Sequence, residues 1–206
     1  MGVTARRRGP GRPRAGEASV DRDALLESAE RLIRREGPGV SLESISAEAG
    51  VTKPMIYHHV GGKEAVIEAL AWRLNDRHAE ASKQAVAGVK DPAGATRAFI
   101  DAYLERLEAD RNLYLYVTGG AVGAEDPHGV LALADQSAPG LARLLGGIRA
   151  ASRGDRDRDA SLPWAYGIIG MLHFVALWWL RDADRSRRDL ADQLTELLWA
   201  GLRGEG

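Results

Sequence analysis

The chain has no cysteine in its 206 residues. Disulfides, thiolate metal sites and thiol catalysis are excluded together, which fits a reducing compartment such as the cytoplasm. Aromatic residues are few, and all of them except Tyr57 and Trp72 lie between residues 92 and 203. The first twenty residues hold no apolar run, so no secretory signal is expected. No stretch reads as a strand and no segment repeats. A Gly-rich phosphate loop, an activated serine elbow and a His/carboxylate metal spacing are all missing. Asp155, Asp157 and Asp159 alternate like the start of a calcium loop, but Ala160 stands where that loop needs glycine, and Tyr166 where it needs the closing Glu. The expectation is a protein that is not an enzyme and holds no metal or cofactor.

One further absence concerns charge. From Ser161 to Leu180 there is no Asp, Glu, Lys or Arg, and a segment of that length can span a bilayer. Pro163, Gly167, Gly170 and His173 interrupt it, and its paired tryptophans sit at one end only. A buried helix of a helical core or a subunit interface is the preferred reading, with no membrane partner. A membrane-anchored sensor using residues 161–180 is the alternative.

Charge that is present is unevenly placed. The formal net charge is -1, yet residues 1–63 carry 11 Arg/Lys against 8 Asp/Glu, and the acidic excess lies behind them. A basic front suits contact with phosphate at one end of the molecule. Residues 1–19 are rich in Arg, Gly and Pro and lack periodicity, so they read as a disordered basic arm.

Helical periodicity begins after the arm. Asp21 or Asp23 can cap a helix to about Glu36, with Leu25, Leu26, Ala29, Leu32 and Ile33 on one face. Gly37-Pro38-Gly39 ends it, and Ser41 caps the next helix. Leu42, Ile45 and Ala49 give that helix its apolar side. Gly50-Val51 makes a corner, and Thr52 opens a second short helix to Val60. A helix, a tight turn and a second helix is the unit that places one helix in the DNA major groove.

The second short helix carries the chemistry. Thr52 is its N-cap, and Pro54 is tolerated because first-turn amides have no helical acceptor. Ile56 and Val60 are four apart and face the core. Lys53, Pro54, Met55, Tyr57, His58 and His59 are then left largely outward, a set suited to phosphates and base edges. Lys63 opens the following helix, where its ammonium and the helix amide end can share one phosphate. His58 and His59 are adjacent and therefore do not form an i, i+4 metal pair.

Further helices are expected from Lys63 to about Ala87 and from Pro92 to about Asp110. A short aromatic segment covers Leu113 to Thr118, followed by a loop from Gly119 to Gly129. Val130 to Ala151 reads as helical, interrupted at Pro139-Gly140, and a charged loop runs from Ser152 to Ala160. Helices from Pro163 to Asp182 and from Arg188 to Leu202 close the chain. About nine helices make the protein all-α. The rear aromatics suggest a small-molecule pocket between helices, with Phe99, Tyr103, Tyr114, Trp164, His173 and Trp178 as candidate contacts. Gly167, Gly170 and Phe174, with Leu194 and Leu198 of the last helix, are candidates for a two-fold interface between copies.

These residues also carry a family resemblance. Ser46-Ala47-Glu48-Ala49-Gly50-Val51-Thr52, then Ile56-Tyr57-His58-His59-Val60 and Lys63-Glu64, resembles the N-terminal domain of TetR-type (TetR/AcrR) transcriptional repressors. Ala29, Leu32 and Ile33 before Gly37 agree with it, and the likeness covers roughly residues 21–70. Val60 departs from the family's usual phenylalanine and Ser46 from its usual alanine. The resemblance implies a homodimeric all-α repressor, with an N-terminal three-helix helix-turn-helix domain (20–66) and a C-terminal helical bundle for effector binding and dimerisation (67–206). It implies double-stranded DNA with a palindromic operator as one partner, and a small-molecule effector as another. Thr52, Tyr57 and Lys63 then correspond to phosphate contacts, Lys53, Pro54, Met55 and His58 to base or groove contacts, and His59 to either. In the arm, Gly11-Arg12-Pro13 resembles a short hook for narrow AT-rich minor grooves. A solvated tail that adds nonspecific affinity is the equal alternative for the segment around Arg12. A DNA-binding regulator with no effector is the alternative for the whole protein.

Overall fold

A computed structural model describes residues 21–121, 127–153, 161–182 and 184–203. Its helices are α1 (Arg22–Glu36), α2 (Leu42–Glu48), α3 (Lys53–His59), α4 (Lys63–Val86), α5 (Pro92–Ala109), α6 (Arg111–Ala121), α7 (Pro127–Arg153), α8 (Ser161–Asp182) and α9 (Arg187–Arg203). Among the described residues there is no strand, as expected for an all-α chain. Arg12 and the rest of the arm lie outside the described residues.

The front helices form where cap chemistry and periodicity agree. The Asp21 carboxylate accepts from the Asp23 amide at 3.0 Å and opens α1. The Gly37 amide closes α1 by donating to the Ile33 carbonyl. Ser41 Oγ accepts from the Ser44 amide at 3.1 Å and starts α2. At α5, the Asp91 carboxylate accepts from the Gly94 amide at 2.7 Å, with Pro92 in the first turn.

Among the described residues Ile45 of α2 and Ile56 of α3 are fully buried and join the same cluster as Leu26, Ile33, Ile67, Leu70, Ile100, Leu104, Leu107 and Leu113. Full burial of one such side chain is worth roughly 1.5–3 kcal/mol. Helix α1 rests on α2 and on α6, α4 packs along α5 and α6, α5 along α9, and α7 along α8. Helix α4 is thus a shared element, in contact with α1 as well as with α5, α6 and α7.

Three expectations are corrected. The loop from Gly119 to Gly129 is shorter than its glycines suggest, because α6 continues to Ala121 and α7 begins at Pro127. Residues 122–126 lie outside the described residues, as do 154–160 of the expected charged loop, whereas Ser152 and Arg153 belong to α7. Pro139-Gly140 does not interrupt α7 either. Both residues are exposed, while Ala138, Leu141 and Leu145 beside them are buried. A proline ring that faces solvent costs one helical hydrogen bond, and the packed flanks hold the helix through it.

Helix α8 is long and apolar enough to cross a membrane. Its inner side is nonetheless built into the bundle: Ala165, Ile168, Leu172, Ala176 and Leu180 are core residues, and His173 is buried among them. The Trp179 indole N–H donates to the Arg185 carbonyl at 3.0 Å and closes the link to α9.

Candidate functional site

The front site is the α2–α3 corner. After α2 the chain turns through Gly50, whose φ of 67° is left-handed, and the Val51 amide reaches back to the Ser46 carbonyl at 3.0 Å. Ser46 is buried, and its hydroxyl is satisfied by the Glu43 carbonyl at 2.8 Å, so serine fits where the family usually has alanine. Ile56 is fully buried beneath α3 and Val60 packs partly on the core. The opposite face of α3 is thereby turned to solvent.

On that face Lys53, Pro54, Tyr57 and His58 are exposed, whereas Met55 and His59 are only half exposed. The two histidine rings meet edge to face at 4.9 Å. Thr52 occupies the N-cap position, yet its side chain makes no capping hydrogen bond. Thr52 is exposed at the start of α3, where Pro54 carries no amide N–H and the Met55 amide donates to the Thr52 carbonyl at 2.9 Å. Lys63 is exposed in the first turn of α4.

Two features of this corner escaped the sequence reading. Lys53 Nζ is paired with Glu43 of α2. That contact raises the Lys53 ammonium pKa and lowers that of the Glu43 carboxyl. A lysine expected to meet bases is therefore held by an acid in the unbound protein. The only available signal was the acidic residue in the first turn of α2, which reads equally as a helix-dipole partner. The second feature is Gly62. Its φ is 102°, and a Cβ placed there would lie 2.8 Å from Tyr57 Cε1. Tyr57, 55 % exposed, owes its ring position to that missing side chain.

The rear site is a cavity of about 370 Å³ between α4, α5, α6, α7 and α8. That volume lies within the roughly 300–1,000 Å³ range of small-molecule sites. Of the expected contacts, Phe99, Tyr103, Tyr114 and His173 line it. Trp164 and Trp178 do not: they stand exposed on the outer side of α8. The residues that sequence reasoning missed are polar and include Asn75, His78, Thr118, Gln136 and Ser137. For His78 a signal existed, because Val66, Leu70, Leu74 and His78 continue one buried stripe at four-residue spacing.

Polar groups of the wall are largely bonded to one another. The Tyr114 hydroxyl and His173 Nδ1 are 2.8 Å apart, and Tyr103 is bonded to Tyr114. Burial pushes the Tyr103 phenol up to about 12, raises Tyr114 well above its ordinary value and lowers His173. This row is thus uncharged at neutral pH. Thr118 donates to the Tyr114 carbonyl at 2.7 Å, and Ser137 to Asn75 Oδ1 at 2.9 Å.

The expected interface residues divide as well. Gly167 and Phe174 lie on the exposed side of α8, Phe174 being 69 % exposed, and Gly170 is half-buried. Leu194 is already buried in its own core and Leu198 is half-buried against it. Leu197, 61 % exposed, is the outward leucine of α9. The periodicity identified the amphipathic helix, whose Leu194 and Leu198 face inward in this chain and whose Leu197 faces outward.

Comparison with known proteins agrees at both ends of the chain. Residues 25–70 match the family model described as bacterial regulatory proteins, tetR family, and residues 81–205 match a tetracyclin repressor-like C-terminal domain. The chain belongs to the TetR family. Like other TetR-family proteins, it is a DNA-binding transcriptional regulator with the helix-turn-helix in its first domain. It is 28 % identical over 186 residues to the HTH-type transcriptional regulator MT0489 of Mycobacterium tuberculosis, covering 89 % of this chain and 77 % of that protein. It is 25 % identical over 214 residues to the HTH-type transcriptional activator FasR of Mycolicibacterium smegmatis, covering 97 % and 94 % of the two chains. The TetR fold also aligns with the solved structure of AibR in complex with isovaleryl coenzyme A and operator DNA. There the TM-score is 0.59 at 21 % identity, over 85 % of this chain and 96 % of that one.

Proposed function

We propose that the protein is a homodimeric repressor, released from a palindromic operator when a small molecule enters the rear cavity. Residues 20–66 act as the reading head, residues 67–206 as the effector and dimerisation domain, and residues 1–19 as a basic arm whose Arg12 adds DNA contact. The protein works in the cytoplasm. The observation that carries the reading is the exposed face of α3: an uncapped Thr52, Tyr57 seated on Gly62, and Lys63 in the next first turn. Thr52, Tyr57 and Lys63 contact phosphates; Lys53, Pro54, Met55 and His58 read the groove; His59 serves either role. On DNA, Lys53 exchanges Glu43 for a base edge or a phosphate.

The outer side of α8 supports dimerisation. Trp164, Gly167, Met171, Phe174 and Trp178 follow one another at spacings of three and four, a continuous apolar stripe on one helix face. Two such stripes, with Leu197 of α9 beside them, form an isologous interface. Two-fold symmetry then sets half-sites about one helical turn or more apart. Helix α4 runs from Lys63 to the cavity wall, so an effector that favours one arrangement of the rear domain alters the spacing of the two heads. AibR, captured with both a coenzyme A thioester and operator DNA, is a precedent for this two-site arrangement. FasR is named an activator, so the direction of regulation is a separate measurement.

Selection of duplexes from a random pool by the purified protein, followed by sequencing, tests the reading. Enrichment of an inverted repeat is expected, with a mass in solution of two chains. Absence of any enriched duplex, or recovery of a lone chain with full affinity, overturns it. Transcription from a promoter carrying the selected repeat, with and without the protein, then gives the sign of regulation.

A further inference from the structure

A chain of polar contacts runs from the cavity to the front domain without passing through the first turn of α4. It begins at His78, which lines the cavity and stands edge-on to Tyr103 at 6.2 Å. His78 Nε2 is sealed from solvent, has no hydrogen-bond partner, and faces Asp110 Oδ2 at 3.9 Å. Asp110 caps the C-terminal end of α5, at the corner before α6, and its other oxygen accepts from Arg34 Nε of α1 at 2.9 Å. Arg34 is shared, since its Nη1 also holds Glu30 at 3.0 Å. Glu30 is buried and takes Arg77 of α4 at 3.2 Å as a further cation. The Asn112 side chain of α6 donates to the Arg34 carbonyl at 2.9 Å.

We propose that His78, Asp110 and Arg34 form the joint that reports occupancy of the cavity to α1 of the reading head, with His78 as the residue that senses the ligand. The proposal rests on the reading of the cavity as the effector site. A sealed nitrogen with no partner is a costly state for a histidine. At 3.9 Å it is too far from Asp110 for a hydrogen bond and close enough to form one after a small movement of the ring. The joint requires a second ring position, bonded to Asp110, besides the withdrawn one of this structure. A molecule filling the cavity beside Tyr103 presses on the ring and biases it toward Asp110. Both contacts fall on one carboxylate, Oδ2 toward His78 and Oδ1 on Arg34, so a hydrogen bond drawn by the His78 ring pulls on the group that holds Arg34, and through Arg34 on the shell of cations around the buried Glu30. Coupling of this kind requires each step to have two discrete arrangements, of which this structure holds one.

The test is a double-mutant cycle in the full chain, read as affinity for a duplex selected by the wild-type protein. His78→Phe keeps the ring and removes both nitrogens, and is expected to shift duplex affinity about fivefold or more. With Asp110→Asn already present, the same change is expected to shift it less than about twofold. Arg34→Gln breaks the joint from its exposed side and replaces Asp110→Asn in the cycle where thermal melting shows that variant to be unfolded. An equal shift in both backgrounds, or no shift from His78→Phe alone, overturns the joint. The underlying reading is checked with 1-anilinonaphthalene-8-sulfonate as probe: its fluorescence should rise with the wild-type protein and not with Leu172→Trp, which fills the cavity. If the probe ignores the cavity, the effector-site reading falls and the proposal with it; if the probe binds and the cycle is additive, only the joint falls.

Discussion

The reading head and the rear cavity treat their polar side chains in opposite ways. On α3, Thr52 makes no capping bond and Tyr57 is held out in solvent, while Lys53 keeps only an exposed acid as partner. In the cavity, Tyr103, Tyr114, His173, Thr118, Asn75 and Ser137 are bonded to one another or to backbone. Water satisfies an outward group at no cost, so a surface for a large charged partner can leave its donors open. Polar groups turned away from solvent have no such reserve, so the hydroxyls of the cavity wall pair with one another or with backbone, while His78 Nε2 and Gln136 Oε1 are left without a partner. A DNA site can therefore be recognised from outward residue types, whereas a ligand cavity has to be found from the arrangement of the surrounding helices.

The largest effect that would break this contrast is a failure of the two regions to share one core. Ile33→Ala in the head and Ile100→Ala in the rear are each expected to cost about 2–5 kcal/mol. Because both residues belong to one buried cluster, each should shift a single thermal transition; two separate transitions by calorimetry would show independent regions. Next in size is Gly62→Ala, which places a side chain at positive φ and against the Tyr57 ring. Strain of about 1–3 kcal/mol is expected, with loss of duplex affinity in titration exceeding the loss in melting temperature.

A smaller effect separates two N-caps within the head. Ser41→Ala removes a capping bond to the Ser44 amide and should destabilise by about 1 kcal/mol. Thr52→Ala removes none and should stay within about 0.5 kcal/mol in denaturant unfolding, yet weaken duplex binding. Equal destabilisation by both would remove the argument that Thr52 is reserved for a partner. The smallest effect is expected from acid. His78 and Arg34 bring the Asp110 carboxyl down from 3.8 to about 2. Its contribution to joining α1 and α5 is thus complete above pH 3.8 and is lost as pH falls towards about 2. Hydrogen exchange in α1 should rise over that window in the wild type, and less so in Asp110→Asn.

How much was legible in the chain follows from the same contrast. α1, α2 and α3 were readable because caps, glycines and apolar spacing all agree locally, as at Asp21, Ser41, Gly50 and Ile56. The ends of α6 and α7 were not, because Gly119 and Pro139 are breakers by propensity and tertiary packing overrides them. Phe99, Tyr103, Tyr114 and His173 were correctly placed at the cavity, while Trp164 and Trp178 were not, since composition names aromatic residues without saying which helix face they occupy. Glu43 and Asp110 were invisible for a related reason: their partners Lys53, His78 and Arg34 come from other helices.

The seat that Gly62 provides for Tyr57 has a consequence for inheritance. The posture of Tyr57, a phosphate contact in the proposed function, is set by a neighbour five positions along, inside the same short module. Under the proposed function, mutational drift can rewrite the rear helices, and with them the chemical signal that is heard, while the address on the chromosome stays the same. A chimera that carries this module through its glycine seat onto an unrelated bundle should keep its choice of duplex.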